Sequence, residues 1–273
     1  MKVVRFRTQD SSRSRLGRLT DDAVRELDST AIAVDDALAG GEGWDSFEAT
    51  GETYDREEVE LRCPLDRPSH VLGVGLNHRG HAEEVGHEIP DEPLFFPKSV
   101  SSLAGPNDPV VSHEGVDTLQ YEAELALIIG DETRNVTPDE AENHVFGYTL
   151  GNDVTAHDLQ MSDVSNSYPW FRSKCFDTFT PVGPAVVSPD DIDLESEVVR
   201  ARLNGETVQE LAVADRVFSG HEIVAELSEY FTLQPGDVIL TGTADGIDEM
   251  TVGDEIEVVS DTLGRLQNEI TAP

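Results

Sequence analysis

Cysteine is almost absent. Cys63 and Cys175 are the only two in 273 residues, too few and too far apart for a disulfide framework or a thiolate metal site. Positive charge is scarce as well: lysine and arginine together number 19 against 55 aspartates and glutamates, for a formal net charge of −36. That balance leaves no basic surface for nucleic acid and opposes docking on anionic membranes, so the expected partners include neither. Apolar segments recur along the whole chain, which points to a folded protein and not a disordered acidic one. The excess of acid is the pattern of salt-adapted proteins and speaks to solubility and association, not to fold. Long apolar runs are also missing. No stretch approaches the roughly eighteen apolar residues of a membrane span, and the opening Met-Lys-Val-Val-Arg-Phe-Arg carries no signal-peptide apolar region. The expectation is a soluble, cytoplasmic protein.

Lysine is scarcer still than arginine: Lys2, Lys98 and Lys174 stand against sixteen arginines. With Lys2 at the terminus, Lys98 and Lys174 are the two internal ammonium groups, and each is a candidate for a specific task. Along the chain, residues 1 to about 65 read as a small N-terminal α/β module, with strands at 3–6 and from 15, and a helix over 31–38. A Pro-marked crossing at 63–68 leads into residues 66–273, where short strands alternate with Pro and Gly turns. Strands are expected at 71–74, 122–129, 185–187, 197–203, 237–240 and 254–259, with Asn204-Gly205 as a hairpin turn. Helices are expected over 79–85, 138–144 and 220–231. Many strands and few helices, without a βαβ rhythm, predict an α+β, mainly β fold. The run Gly73-Val-Gly75-Leu-Asn-His-Arg-Gly80 imitates a dinucleotide-binding loop, but its third glycine falls two positions late.

The densest chemical signal lies in Tyr121-Glu-Ala-Glu-Leu-Ala-Leu-Ile-Ile129. Strand side chains alternate, so Glu122 and Glu124 point the same way, with Cα atoms roughly 6–7 Å apart. Two acids on one face of so apolar a strand are expensive to bury without a positive partner; the plain alternative is an acidic rim on a half-exposed strand. Asp153, in Gly151-Asn-Asp-Val-Thr, follows the next apolar run. Three carboxylates without cysteine or histidine suit a hard cation with oxygen ligands.

Further motifs stand in order: Gly75-Leu-Asn-His-Arg-Gly-His81 with Glu84, Pro93-Leu-Phe-Phe-Pro-Lys98, Tyr121-Glu-Ala-Glu-Leu125, and the run from Gly147 through Asn152-Asp-Val-Thr-Ala-His157 to Gln160. Trp170-Phe-Arg-Ser-Lys174, Pro181-Val-Gly-Pro184, Leu203-Asn-Gly-Glu206 and Pro235-Gly-Asp-Val-Ile-Leu-Thr-Gly-Thr243 complete the series. From about residue 70 onward the chain thereby resembles the fumarylacetoacetate hydrolase superfamily, in its acylpyruvate hydrolase and 2-hydroxyhepta-2,4-diene-1,7-dioate isomerase branch. The resemblance implies a mixed β-sandwich roll, a homodimer, and Mg²⁺ or Mn²⁺ held by Glu122, Glu124 and Asp153. It places Lys174 beside the metal and the substrate's oxygens, and Lys98 at the substrate or behind the acidic ligands. His81 and Glu84, three apart on one expected helix face, match a general-base dyad of C–C-cleaving members on a segment that closes over the site. Gln160 and Thr243 match substrate-side positions, Thr243 through its hydroxyl or its N–H. The chain departs from its relatives at His78, His157 and Ala244, where tyrosine, arginine and proline are common. Histidine for arginine removes a bidentate carboxylate fork.

These residues together imply a metal-dependent enzyme acting on a 2-oxo or β-diketo carboxylic acid. C–C bond hydrolysis is favoured by His81 and Glu84, with isomerisation or decarboxylation sharing the same enolate core. A non-catalytic metal- or small-molecule-binding protein, or a structural Ca²⁺ site, are the alternatives of another class.

Overall fold

The strand Ala123–Ile129 is buried along its whole length. Its period-two alternation divides the side chains between two cores. Leu125, Leu127 and Ile129 join a cluster of 33 buried apolar residues, whereas Ala126 and Ile128 join a second of 18. A strand covered on both faces needs no polar alternation, which is why it reads as a continuous apolar run. In the computed structural model, which describes all 273 residues, this strand lies inside a twelve-stranded mixed sheet. The order runs Ala49–Asp55, Ala23–Leu27, Arg15–Leu19, Lys2–Thr8, Thr180–Val187, Val145–Asn152, Ala123–Ile129, Val238–Leu240, Val71–Gly75 and Leu94–Lys98; Val59–Arg62 and Leu103–Ala104 pair off this path.

A five-stranded sheet packs across the larger core: Glu206–Ala212, Val198–Leu203, Glu255–Ser260, Gly264–Thr271 and Val110–Val111. Val199, Ala201, Ile256, Val258 and Leu266 meet Leu125 and Leu127 in the shared cluster, so one apolar layer is sealed between two sheets. The α+β, mainly β expectation is what the chain adopts. Asn204 and Gly205 take positive φ of 52° and 85°, as a two-residue hairpin turn requires. The N-terminal strands extend the large sheet directly, with Lys2 opposite Val187 and Val3 opposite Val186. The first helix starts at Val34, later than expected, where the Val34 amide donates to the Pro64 carbonyl at the crossing.

Two features of this frame set the site. Ala123 pairs with Asn152 and Glu124 with Gly151, so the end carrying the paired glutamates lies beside the strand that runs into Asp153. Gly151 lets Leu240 pack close there, since an added Cβ would stand 2.3 Å from a Leu240 methyl and force that side chain to move. The second feature is a helix, His157–Ser165, absent from the expectations above. Its sequence, His-Asp-Leu-Gln-Met-Ser-Asp-Val-Ser, has no apolar face at helical period, so nothing in the pattern announced it.

Candidate active site

Glu122, Glu124 and Asp153 each offer a carboxylate oxygen, all within 4.8 Å of one another. The sheet register builds this trio, and backbone bonds fix it. The Asp153 amide donates to the Glu122 carbonyl at 2.9 Å, the Glu122 amide donates to Asn152 Oδ1 at 3.0 Å, and the Thr155 hydroxyl donates to Glu122 Oε1 at 2.8 Å. Glu124 accepts the Gly242 amide at 2.5 Å. Gly242 has φ +96°, and an added Cβ would lie 2.8 Å from Asn77 Cβ and 3.0 Å from the Val74 carbonyl. Asn77 braces the same loop, donating to the carbonyls of Thr241 and Phe218.

Both internal lysines converge on the trio. Lys174 Nζ donates to Glu122 Oε1 and Asp153 Oδ2, each at 2.7 Å, and Lys98 pairs with the other Asp153 oxygen. Burial works against the Asp153 charge, but Lys174 and Lys98 outweigh it and hold the carboxyl below its usual range. Burial likewise opposes the Lys174 charge, and Asp153 and Glu122 reverse the balance and raise its pKa. Glu124 has no such partner. Burial, then the charges of Asp153 and Glu122, push its carboxyl well above the usual range. Two ammonium groups balance only two of the three carboxylates, so Glu124, which lacks a cation, resists ionising until a further positive charge arrives. The oxygen-only donor set and this uncompensated carboxylate fit a hard divalent ion.

A cavity of about 290 Å³ reaches the trio at Glu122, with Lys174 beside it in the lining. Lys98 does not line it; its side chain is fully buried behind Asp153, which matches a supporting role for the acids better than contact with substrate. His81, Glu84, Gln160, Thr243 and His157 all line the wall. His81 Nδ1 stands 3.5 Å from Glu84 Oε2 and has no hydrogen-bond partner, so the two groups are adjacent without being bonded. Glu84 instead accepts the Gly246 amide at 3.1 Å, tying the helix Arg79–Glu84 to the loop that carries Thr243. The Thr243 hydroxyl is engaged twice: it donates to the Ala123 carbonyl at 3.0 Å and accepts from Gln209 at 2.8 Å. Its backbone N–H has no backbone partner and is the group left for a ligand.

Sequence reasoning missed Gln209, which joins the Ala123 amide to Thr243 and Ala244. It sits on an edge hairpin with nothing in its neighbourhood to mark it. It also missed the apolar wall of Phe96, Met161, Val164 and Trp170, and His87 beside it. Half of that wall stands on the unannounced helix.

Fumarylacetoacetate (FAA) hydrolase C-terminal is the family description whose model matches residues 70–271, and an Rv2993c-like N-terminal model matches residues 1–64. The chain is 33% identical to an oxaloacetate tautomerase, fahd2, from Xenopus laevis mitochondria, over 99% of this chain and 90% of that protein. Among solved structures it is similar to a fumarylacetoacetate hydrolase from Exiguobacterium antarcticum, with 32% identity, TM-score 0.88 and full coverage of both chains. A 2-hydroxyhepta-2,4-diene-1,7-dioate isomerase from Mycobacterium marinum matches at 28% identity and TM-score 0.84, covering 100% of this chain and 98% of that one.

Proposed function

The chain belongs to the fumarylacetoacetate hydrolase family, and from that premise we propose that it interconverts enol and keto or double-bond isomers of a 2-oxo carboxylic acid, using a divalent cation. The carrying observation is the buried Lys174, bonded to Glu122 and Asp153 while it faces the cavity. Enzymes of this family generally use a divalent metal, and Glu122, Glu124 and Asp153 would hold it, as Mg²⁺ or Mn²⁺. When bound, such an ion supplies Lewis-acid polarisation of the substrate's 2-oxo and carboxylate oxygens.

The rest of the chemistry belongs to the chain's own groups. Lys174 sets a fixed positive charge where the 2-oxo oxygen becomes negative, and because the site is already organised, this costs no rearrangement during reaction. The Thr243 N–H and the Gln160 amide, which has no partner inside the protein, orient the carboxylate end. His81 Nε2 or Nδ1 takes a proton from the carbon beside the oxo group and returns it at the same or a neighbouring carbon. Lys98 keeps Asp153 ionised from behind, and the apolar wall excludes water from the exchange. A homodimer is part of the same proposal, checked by sedimentation equilibrium.

A second reading, C–C hydrolysis of an acylpyruvate, is favoured by the His81–Glu84 pair on the cavity wall; His81 would then deprotonate a water. Decarboxylation shares the enolate: CO₂ leaves, the electron pair of the broken bond stays on the enolate, and a proton is then delivered to its carbon. One experiment separates these outcomes. Oxaloacetate, acylpyruvates and unsaturated 2-oxo diacids are incubated in D₂O with Mg²⁺ or Mn²⁺, at high salt, and followed by proton NMR. Enzyme-dependent enol–keto conversion with deuterium entering the carbon skeleton is expected. Release of pyruvate from acylpyruvates without such conversion would replace the proposal with the hydrolase reading, and inertness toward every compound would overturn both.

A further inference from the structure

Against the acidic trend of the chain, Lys2, Arg18 and Arg56 line a single cavity of about 530 Å³, remote from the pocket described above. It lies on the seam where the N-terminal strands meet the turns at Asp191 and Thr262. None of the three cations takes part in an ion pair. With acids outnumbering bases 55 to 19, three unpaired cations around one hollow run against what random placement on this surface would give. The Arg56 guanidinium makes one long contact, to the Val59 carbonyl at 3.3 Å. Burial lowers its pKa, and no carboxylate offsets the effect. A partly desolvated guanidinium without a counter-charge is unfavourable unless an anion completes it.

Of the two acids in the lining, Asp191 is engaged by the Met1 amino group. Asp21 is exposed, and Lys2, Arg18, Arg56 and the Met1 amino group outnumber the two carboxylates, leaving the lining positive. The lining contains no aromatic side chain, so a nucleobase would find nothing to stack on. The Thr262 hydroxyl makes no hydrogen bond of its own and faces the same space.

We propose that this seam binds a small, multiply charged oxyanion, either a phosphate group or a polycarboxylate, between Lys2, Arg18 and Arg56. The site is independent of the proposed chemistry, and it bridges the N-terminal strands to the remainder of the chain. Each arginine supplies charge-assisted hydrogen bonds, and loss of one weakens binding about tenfold or more. The test titrates the full-length protein, at constant KCl, with inorganic phosphate and separately with tricarballylate, by calorimetry. One saturable site per chain is expected for at least one probe, and the probe that binds identifies the anion class. Binding should weaken at least tenfold in R18Q and R18Q/R56Q, and stay unchanged in R13Q, an exposed arginine beyond the end of the Lys2–Thr8 strand opposite the cavity. Arg18 is also exposed, so the single variant remains readable should the double one fail to fold. Absence of saturable binding by both probes, or binding in R18Q equal to that of the unmodified protein, would overturn the site.

Discussion

Lys174 carries more of the proposed chemistry than any other residue, and its two bonds make it structural as well. Replacing it with methionine removes the fixed charge opposite the developing oxyanion and leaves Glu122 and Asp153 short of a partner. Turnover should fall by about 10²–10³-fold, and stability by about 3–5 kcal/mol; steady-state kinetics and urea unfolding measure the two separately. His78 gives a different kind of prediction. It is buried, and burial together with Arg216 and His81 depresses its pKa to about 4. The unfolded chain takes up a proton near pH 6.5 that the folded chain refuses, so stability is intact above pH 6.5 and declines as pH falls toward 4. The shift is worth about 3 kcal/mol over that window. Unfolding midpoints measured across it should therefore vary less steeply in His78→Gln than in the parent. At this scale the sequence was most legible where one residue type was rare. Two internal lysines in so acidic a chain pointed to themselves, and both meet Asp153. Gln209 could not be found that way, because a glutamine on a hairpin is ordinary until the fold brings it against Thr243.

At the scale of elements, the helix Arg79–Glu84 and the loop from Thr241 to Gly246 form one wall, joined by the Glu84–Gly246 bond. Glu84→Ala releases that bond and frees the helix to drift. We expect it to lower kcat about tenfold, with His81→Ala costing more, about 10²–10⁴-fold, since in the proposed reaction only His81 transfers the proton. Equal losses in the two variants would show that Glu84 acts on the chemistry directly. Gly242→Ala tests the opposite side of the trio. Its positive φ and the contacts at 2.8 and 3.0 Å leave no room for a Cβ, so the loop must shift and withdraw its N–H from Glu124. Destabilisation of roughly 1–3 kcal/mol and weaker Mn²⁺ affinity are expected, by thermal unfolding and by titration. Element by element, strands buried on both faces were legible because an apolar run between turn residues has few other outcomes. The helix His157–Ser165 was not, for its few apolar residues, Leu159, Met161 and Val164, form no continuous stripe at helical period. His81 and Glu84 were correctly expected to share a helix face, yet spacing could not reveal that Glu84 bonds the Gly246 amide.

The molecule as a whole carries a charge of −36, and most of its acids lie on the surface without a cationic partner. Their mutual repulsion is screened as salt rises, with the Debye length shrinking from about 10 Å at 0.1 M to about 3 Å at 1 M. The unfolding temperature should therefore climb steadily between 0.1 and 2 M KCl, and a flat profile would show that the surface acids do not oppose folding. The α+β, mainly β class was legible at this scale from strand content and turn spacing, whereas the sandwich came only from the resemblance to the family. The joining of the N-terminal strands to the central sheet was not, because the pairing of Lys2–Thr8 with Thr180–Val187 spans most of the sequence. No helix is long and apolar enough to cross a membrane. The claim on which the account rests is that Glu122, Glu124 and Asp153 hold a divalent cation whose presence switches on the pocket. A Mn²⁺ titration of chelator-stripped protein, with bound ion read by electron paramagnetic resonance and turnover read on the same samples, tests it most directly. One ion bound per chain, activity rising in proportion, and loss of both in Asp153→Asn are expected. Full activity in the stripped protein, or an Asp153→Asn variant that binds Mn²⁺ as tightly as its parent, would contradict it.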